Sequence, residues 1–369
     1  MKQKIRNTML FAIFITIGGY ILSHSGKNLL WEQAEKTFYP TMNYVINGEN
    51  ASDSSDILLR ILSPLYGYMN DNMSTVAEVE DNLTYEMILS QQANDEYTMS
   101  EDLDVISQDA TATVSEEISI DKLRDFNYLL SKFYTVDSTT TIDADQLNVD
   151  DLLSRDMHID TKTSGPKVLI FHTHSQEAFA DSVTGDSSTT VVGMGRYLAE
   201  LLNAKGIETI HHDGVYDLIN RQLDRSKAYQ MAEAGVKEIL NQNPSIEVVI
   251  DLHRDGVPET THLVTEINGK QTAKIMFFNG LSRTKTNGDI AYLPNPYIQD
   301  NLSFSFQMQL ASEKLYPGFA RRIYLKGYRY SLHMMPKSLL IEAGAQTNTV
   351  EEMKNAMEIL ANILVEVLL

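Results

Sequence analysis

Beyond residue 165, short unbroken apolar runs alternate with longer stretches of helical period. Three runs, 167–173, 247–252 and 338–341, read as strands covered on both faces. A fourth, 207–211, alternates apolar and polar positions as a half-covered strand does. Between them, 192–205 reads as a helix stopped by Gly206, and 221–242 as a longer helix ending before Pro244. Within 261–278, Asn268-Gly269 sits between two apolar segments and predicts a hairpin. Residues 295–315 and 349–368 read as the last helices, the first of them broken by Pro317-Gly318. Strands alternating with helices through short connections predict a three-layer α/β/α domain over 161–369, with a mainly parallel sheet.

The pattern upstream is different. Lys2, Lys4 and Arg6 precede an uncharged apolar run from Met9 to Leu22, so 1–26 reads as a membrane helix. Its basic flank belongs in the cytoplasm, which puts everything after Lys27 outside the cell membrane. A cleaved signal peptide has the same layout, but Ser23-His24-Ser25 is a poor cleavage site and an uncleaved anchor is preferred. Residues 27–160 form a mixed helical and acidic region. Between Arg60 and Lys122 there is no basic residue, while Glu78, Glu80, Asp81, Glu86, Asp95, Glu96, Glu101, Asp102 and Asp104 accumulate. Such a tract repels itself and reads as an extended or disordered spacer. It holds no D-x-[DN]-x-[DN]-G calcium loop. Leu123, Phe126, Leu130 and Phe133 lie near helical spacing within 120–134, and 136–151 reads as a linker.

Charge and composition narrow the chemistry. A net charge of −20 over 369 residues leaves no basic surface for nucleic acid. The absence of cysteine excludes disulfides, iron–sulfur clusters and thiolate zinc sites, so any metal must be held by His, Asp or Glu.

Three predicted strands end in such groups. The first ends in His172, His174 and Glu177, the second in His253, Arg254 and Asp255, and the third in Glu342. Open α/β sheets place their sites at the carboxyl ends of strands. A catalytic zinc takes three protein ligands, and His174, Glu177 and His253 form a His₂Glu set. Glu342 would then be the separate carboxylate that moves the proton from water to the leaving amine. In an extended chain His172 shares a face with His174 and could replace it as ligand. The H-x-x-E spacing favours His174 and leaves His172 to contact substrate or to support a ligand. Arg254 lines the site or orients His253, and it is the one strand-end cation that could grip a terminal carboxylate in a carboxypeptidase. The residues themselves therefore imply a tethered, extracytoplasmic zinc amide hydrolase, with a non-catalytic binding scaffold as the rival from another class.

FHTHSQEAF, IDLHRDG and LIEAGAQTNT, followed by a final helix, resemble the stage II sporulation protein P family of endospore-forming bacteria. That family is related to zinc-dependent N-acetylmuramoyl-L-alanine amidases. The resemblance covers Lys167 to the C-terminus, with an N-terminal anchor of the same kind. It implies an amidase-like fold, hydrolysis of the amide joining N-acetylmuramic acid to L-alanine in peptidoglycan, and a second activity on peptide cross-links. It also implies action in engulfment with stage II sporulation proteins D and M as partners. Alignment of the first strand places the amidases' first zinc histidine on His174 and their catalytic carboxylate on Glu342. In ordinary wall amidases the ligand Glu lies farther from that histidine than Glu177 lies from His174, so Glu177 rests on a spacing that resembles zinc carboxypeptidases.

Overall fold

The apolar runs form the middle of a seven-stranded sheet. The computed structural model describes residues 118–369. Its main strands are β1 (Tyr134–Val136), β2 (Val168–Phe171), β3 (Thr209–His211), β4 (Val248–Asp255), β5 (Ile275–Gly280), β6 (Ala320–Lys326) and β7 (Lys337–Ala345). The helices that position them are α1 (Phe126–Phe133), α2 (Val149–Ser154), α3 (Val191–Ala204), α4 (Ala228–Gln242), α5 (Ile298–Leu315) and α6 (Val350–Leu368). The sheet order is β1-β6-β5-β7-β4-β2-β3. Every pairing is parallel except β5 with β7. The β1, β6 and β5 half thus runs opposite to the other half, and the amino ends of β5 and β6 meet the carboxyl ends of β7, β4 and β2.

Side-chain alternation divides the sheet into two faces. Val168 and Ile170, Val248, Ile250 and Leu252, and Leu339, Ile341 and Ala343 join the larger core with α3, α5 and α6. The alternate positions Leu169, Phe171 and Val249 pack on Ala232 and Val236 of α4. Met276, Phe278 and Leu340 meet Tyr229, Tyr324 and Tyr330 on that second face. The layers are therefore unequal: one face carries three long helices, and the other carries α4 and the segment 327–336. Helix α6 starts where expected, at a capping box made by Thr349 and Glu352.

Several boundaries differ from the sequence expectation. The predicted second helix begins only at Ala228, because 218–223 folds into a tight hairpin with Asn220 and Arg221 at φ 53° and 65°. The hairpin predicted at Asn268-Gly269 is present, with φ 54° and 76° at its two turn residues. Strand β6 was not expected, since Arg321, Arg322 and Lys326 interrupt its apolar pattern. The largest difference lies upstream. Residues 118–160, grouped with the spacer on composition, supply α1, α2 and the edge strand β1. Their Leu123, Leu129, Phe133, Leu147 and Leu152 are all buried in the larger core. Each is worth about 1.5–3 kcal/mol on burial. Together they rival the ~5–15 kcal/mol net stability of a typical domain, so the folded unit cannot begin at 161.

The predicted anchor, 1–26, and the acidic tract up to residue 117 lie outside the described residues. Among the described residues, no helix is long and apolar enough to cross a membrane.

Candidate metal centre

The α4-side face of the sheet carries its polar residues at one end. His253 and Asp251 sit two residues apart on β4 and therefore share that face. Glu342 of β7 pairs in register with His253, so its side chain emerges on the same face one strand away. Beyond the end of β2 the chain turns and brings His174 and Glu177 over the end of β4. One donor atom from each of His174, Glu177 and His253 lies within 4.8 Å of the others, and all three residues are buried. Nδ1 of His174 is 3.7 Å from Oε1 of Glu177, and Nδ1 of His253 is 3.8 Å from its Oε2. Donors held about 2.0–2.2 Å from one tetrahedral zinc are about 3.3–3.6 Å apart. The trio fits such an ion in spacing and in chemistry: two imidazoles and one carboxylate with no thiolate.

The surroundings fix the donors. Asp251 is buried and can only accept, so Nε2 of His253, 2.8 Å away, carries the proton and Nδ1 presents a lone pair to Glu177's side. Asp251 is itself held by the Thr173 amide (2.9 Å), the Thr173 hydroxyl (2.6 Å) and the Ser331 hydroxyl (2.7 Å). The main-chain N–H of Arg254 donates to Oε2 of Glu177 at 2.9 Å, and Nη2 of Arg225 lies 3.4 Å from Oε1. Burial opposes ionisation of Glu177, but the nearby His174 and the charges of His253 and Arg225 outweigh it and hold the carboxyl below its ordinary range. Burial likewise opposes ionisation of Asp251, and His253 and Thr173 reverse the balance.

His172 turns away from the trio. Its Nδ1 is 2.7 Å from the Leu252 carbonyl and its Nε2 3.0 Å from Nε2 of His211. Burial pulls His172 down to about 4 and His211 to about 3, which suits a neutral pair sharing one proton between the two Nε2 atoms. The guanidinium of Arg254 donates to its neighbour's carbonyl, Asp255 O, at 3.1 Å. Sequence reasoning passed over Asp251, Arg225 and Ser331. Asp251 had a legible signal, two residues before His253 on a strand. Arg225 and Ser331 arrive from loops, with Arg225 following the hairpin at 218–223 that Asp217 ties down through Ser175 and Gln176.

A family model described as stage II sporulation protein P (SpoIIP) matches residues 58–365. The chain belongs to the stage II sporulation protein P family. The match extends upstream of the region whose resemblance was legible by eye, and it takes in α1, β1 and α2. Stage II sporulation protein P of Bacillus subtilis (strain 168) is 25% identical over 222 residues, which are 56% of this chain and 52% of that protein. The chain thus matches about half the length of its curated relative. Among solved structures, the CwlD amidase from Clostridioides difficile, in complex with the GerS lipoprotein, aligns over 55% of this chain and 99% of its own, at 17% identity and TM-score 0.34. The N-acetylmuramoyl-L-alanine amidase AmiC2 of Nostoc punctiforme aligns over 55% and 98%, at 12% identity and TM-score 0.32.

Proposed function

We propose that this member of the family is a zinc-dependent peptidoglycan hydrolase that cleaves the amide between N-acetylmuramic acid and L-alanine. It acts outside the membrane, tethered by residues 1–26, in wall remodelling during engulfment, with stage II sporulation proteins D and M as partners. The observation that carries the chemistry is the buried His174–Glu177–His253 trio with Glu342 one strand away on the same face. When bound, zinc would supply Lewis acidity toward the amide carbonyl and toward water. His174, Glu177 and His253 would hold it, with Asp251 fixing the tautomer of His253. Glu342, enclosed on β7, would accept the proton of the attacking water and return it to the leaving amine. The neutral His172–His211 pair would keep the end of β2 rigid rather than touch the reacting atoms.

Cleavage of peptide cross-links at the same centre is the second reading. An exopeptidase version would grip a terminal carboxylate with Arg254, whose Nη1 donates to the Asp255 carbonyl and whose Nε is buried without an acceptor, and loss of exopeptidase cleavage in Arg254→Ala is its test. The test compares full-length chain with Glu342→Gln on purified wall. The variant should bind zinc at wild-type stoichiometry and release no soluble fragments. Wild-type release by the variant would remove Glu342 from the mechanism.

A further inference from the structure

The antiparallel junction of β5 with β7 has a consequence at the site end of the sheet. Arg321 is the second residue of β6 and Asp255 ends β4, with β5 and β7 between them. Yet Nη1 of Arg321 is 2.5 Å from Oδ2 of Asp255, and their side chains are only 9% and 1% exposed. To reach Asp255 the Arg321 side chain must lie across β5 and β7 on the α4-side face. Arg321 is in register with Met276, Met276 with Glu342, and Glu342 with His253. The guanidinium is therefore held beside Asp255, two residues beyond the register partner of Glu342.

This corner holds a second cation whose acid partner is not in contact with it. Lys274 precedes β5, is half-buried, and makes no ion pair among the described residues. Burial and the charge of Arg321 both disfavour its ammonium, against a smaller opposing effect of Glu313. Nε of Arg321 is enclosed and has no acceptor, and Oδ1 of Asp255 is enclosed without a donor. Asp255 holds one side of Arg321 and Glu313 acts on Lys274, which leaves the unfilled guanidinium edge beside the Lys274 ammonium as an anion site in a chain of net charge −20.

We infer that Arg321 and Lys274 form a subsite for a free carboxylate on the leaving peptide of the substrate, a proposal that rests on the amidase reading above. The span fits. Asp255, which holds the guanidinium, lies two residues beyond His253, the register partner of Glu342, about 7 Å along the strand. An extended peptide covers about 7 Å in two residues. The α-carboxylate of the second stem residue, a γ-linked glutamate, then reaches the Arg321 edge when the scissile amide lies at Glu342. Arg321, oriented by Asp255, would accept it side-on, and Lys274 would supply the second charge.

The test uses two soluble muropeptides that differ only in that α-carboxyl, free in one and amidated in the other, together with the two released stem peptides. With zinc-loaded full-length chain, kcat/KM should favour the free acid by roughly tenfold to hundredfold, and calorimetry should show the same preference for the acid stem peptide. Lys274→Met and Arg321→Lys, each checked by thermal melting, should bring both ratios toward one. Equal binding of acid and amide by the wild type overturns the subsite. So does an undiminished preference in folded Lys274→Met. If the wild type prefers the acid stem peptide in calorimetry but cleaves neither muropeptide, the subsite stands and the amidase reading falls.

Discussion

Asp251→Asn is the sharpest perturbation of the metal centre, because it changes one atom of a group that would never touch the metal. Asp251 accepts from the Thr173 amide, the Thr173 hydroxyl and the Ser331 hydroxyl, and stands 2.8 Å from Nε2 of His253. The carboxylate can satisfy all four donors at once, and an amide cannot. If the amide NH₂ turns toward His253, the imidazole must accept at Nε2 and carry its proton on Nδ1, the atom that faces Glu177. If it turns the other way, it meets two hydroxyls, which can rotate to accept, and the His253 contact weakens to a neutral hydrogen bond. Loss of such a partner typically costs 10- to 100-fold in metal affinity, about 1.4–2.8 kcal/mol. Zinc affinity measured by competition with a chromophoric chelator should fall within that range, while far-UV circular dichroism stays native. A folded Asp251→Asn protein with wild-type zinc affinity would refute the view that Asp251 sets the tautomer of His253.

Four further outcomes follow from the same geometry. Zinc at 100 times its dissociation constant should stabilise the wild type by about 2.7 kcal/mol, and His253→Ala should abolish that gain in a thermal melt. Gly195→Ala in α3 should destabilise by about 1–3 kcal/mol in urea, against the usual helix preference, because its Cβ would overlap the buried ring of His172 and crowd the half-buried ring of His211. Glu233 is held down at about 2, with burial opposing and His333, Lys237 and Arg329 prevailing. Its folded pKa lies below the ordinary 4.5, so it contributes stability above that pH that is lost as pH falls from about 4.5 to 2. The stability gap between wild type and Glu233→Gln should close over that window in urea titrations. A chain starting at residue 161 should show no cooperative melt, whereas the full-length chain should.

What could be read from the sequence followed from how each element is buried. The central strands β2, β4 and β7 are covered on both faces, so they stand out as unbroken apolar runs, and the groups at their ends were found with them. Edge and near-edge strands carry a different signature. β1 has three residues, and β6 is studded with basic side chains whose roles, such as Arg321 reaching Asp255, exist only across strands distant in sequence. The helical spacing of Leu123, Phe126, Leu130 and Phe133 was legible, but nothing local tied that segment to a core whose other members lie far along the chain, so 118–160 was grouped with the acidic region. Strand alternation alone could not separate His172 from His174, although the H-x-x-E spacing favoured His174. The chain stops being extended after Phe171, so the shared face that alternation predicts no longer holds. Arg225 reaches Glu177 only because a hairpin with left-handed Asn220 and Arg221 turns the chain back, and no local preference of arginine announces that turn.

The central claim is chemical: a metal held by His174, Glu177 and His253 lets this chain cut one particular amide. The most direct measurement digests purified peptidoglycan with full-length chain, with and without chelator and with zinc restored, and resolves the released fragments by mass after labelling free amino groups. The account predicts intact stem peptides bearing labelled L-alanine amino ends, lost with chelator and recovered with zinc. Shortened peptides still joined to glycan, or release that chelator leaves unchanged, would contradict it.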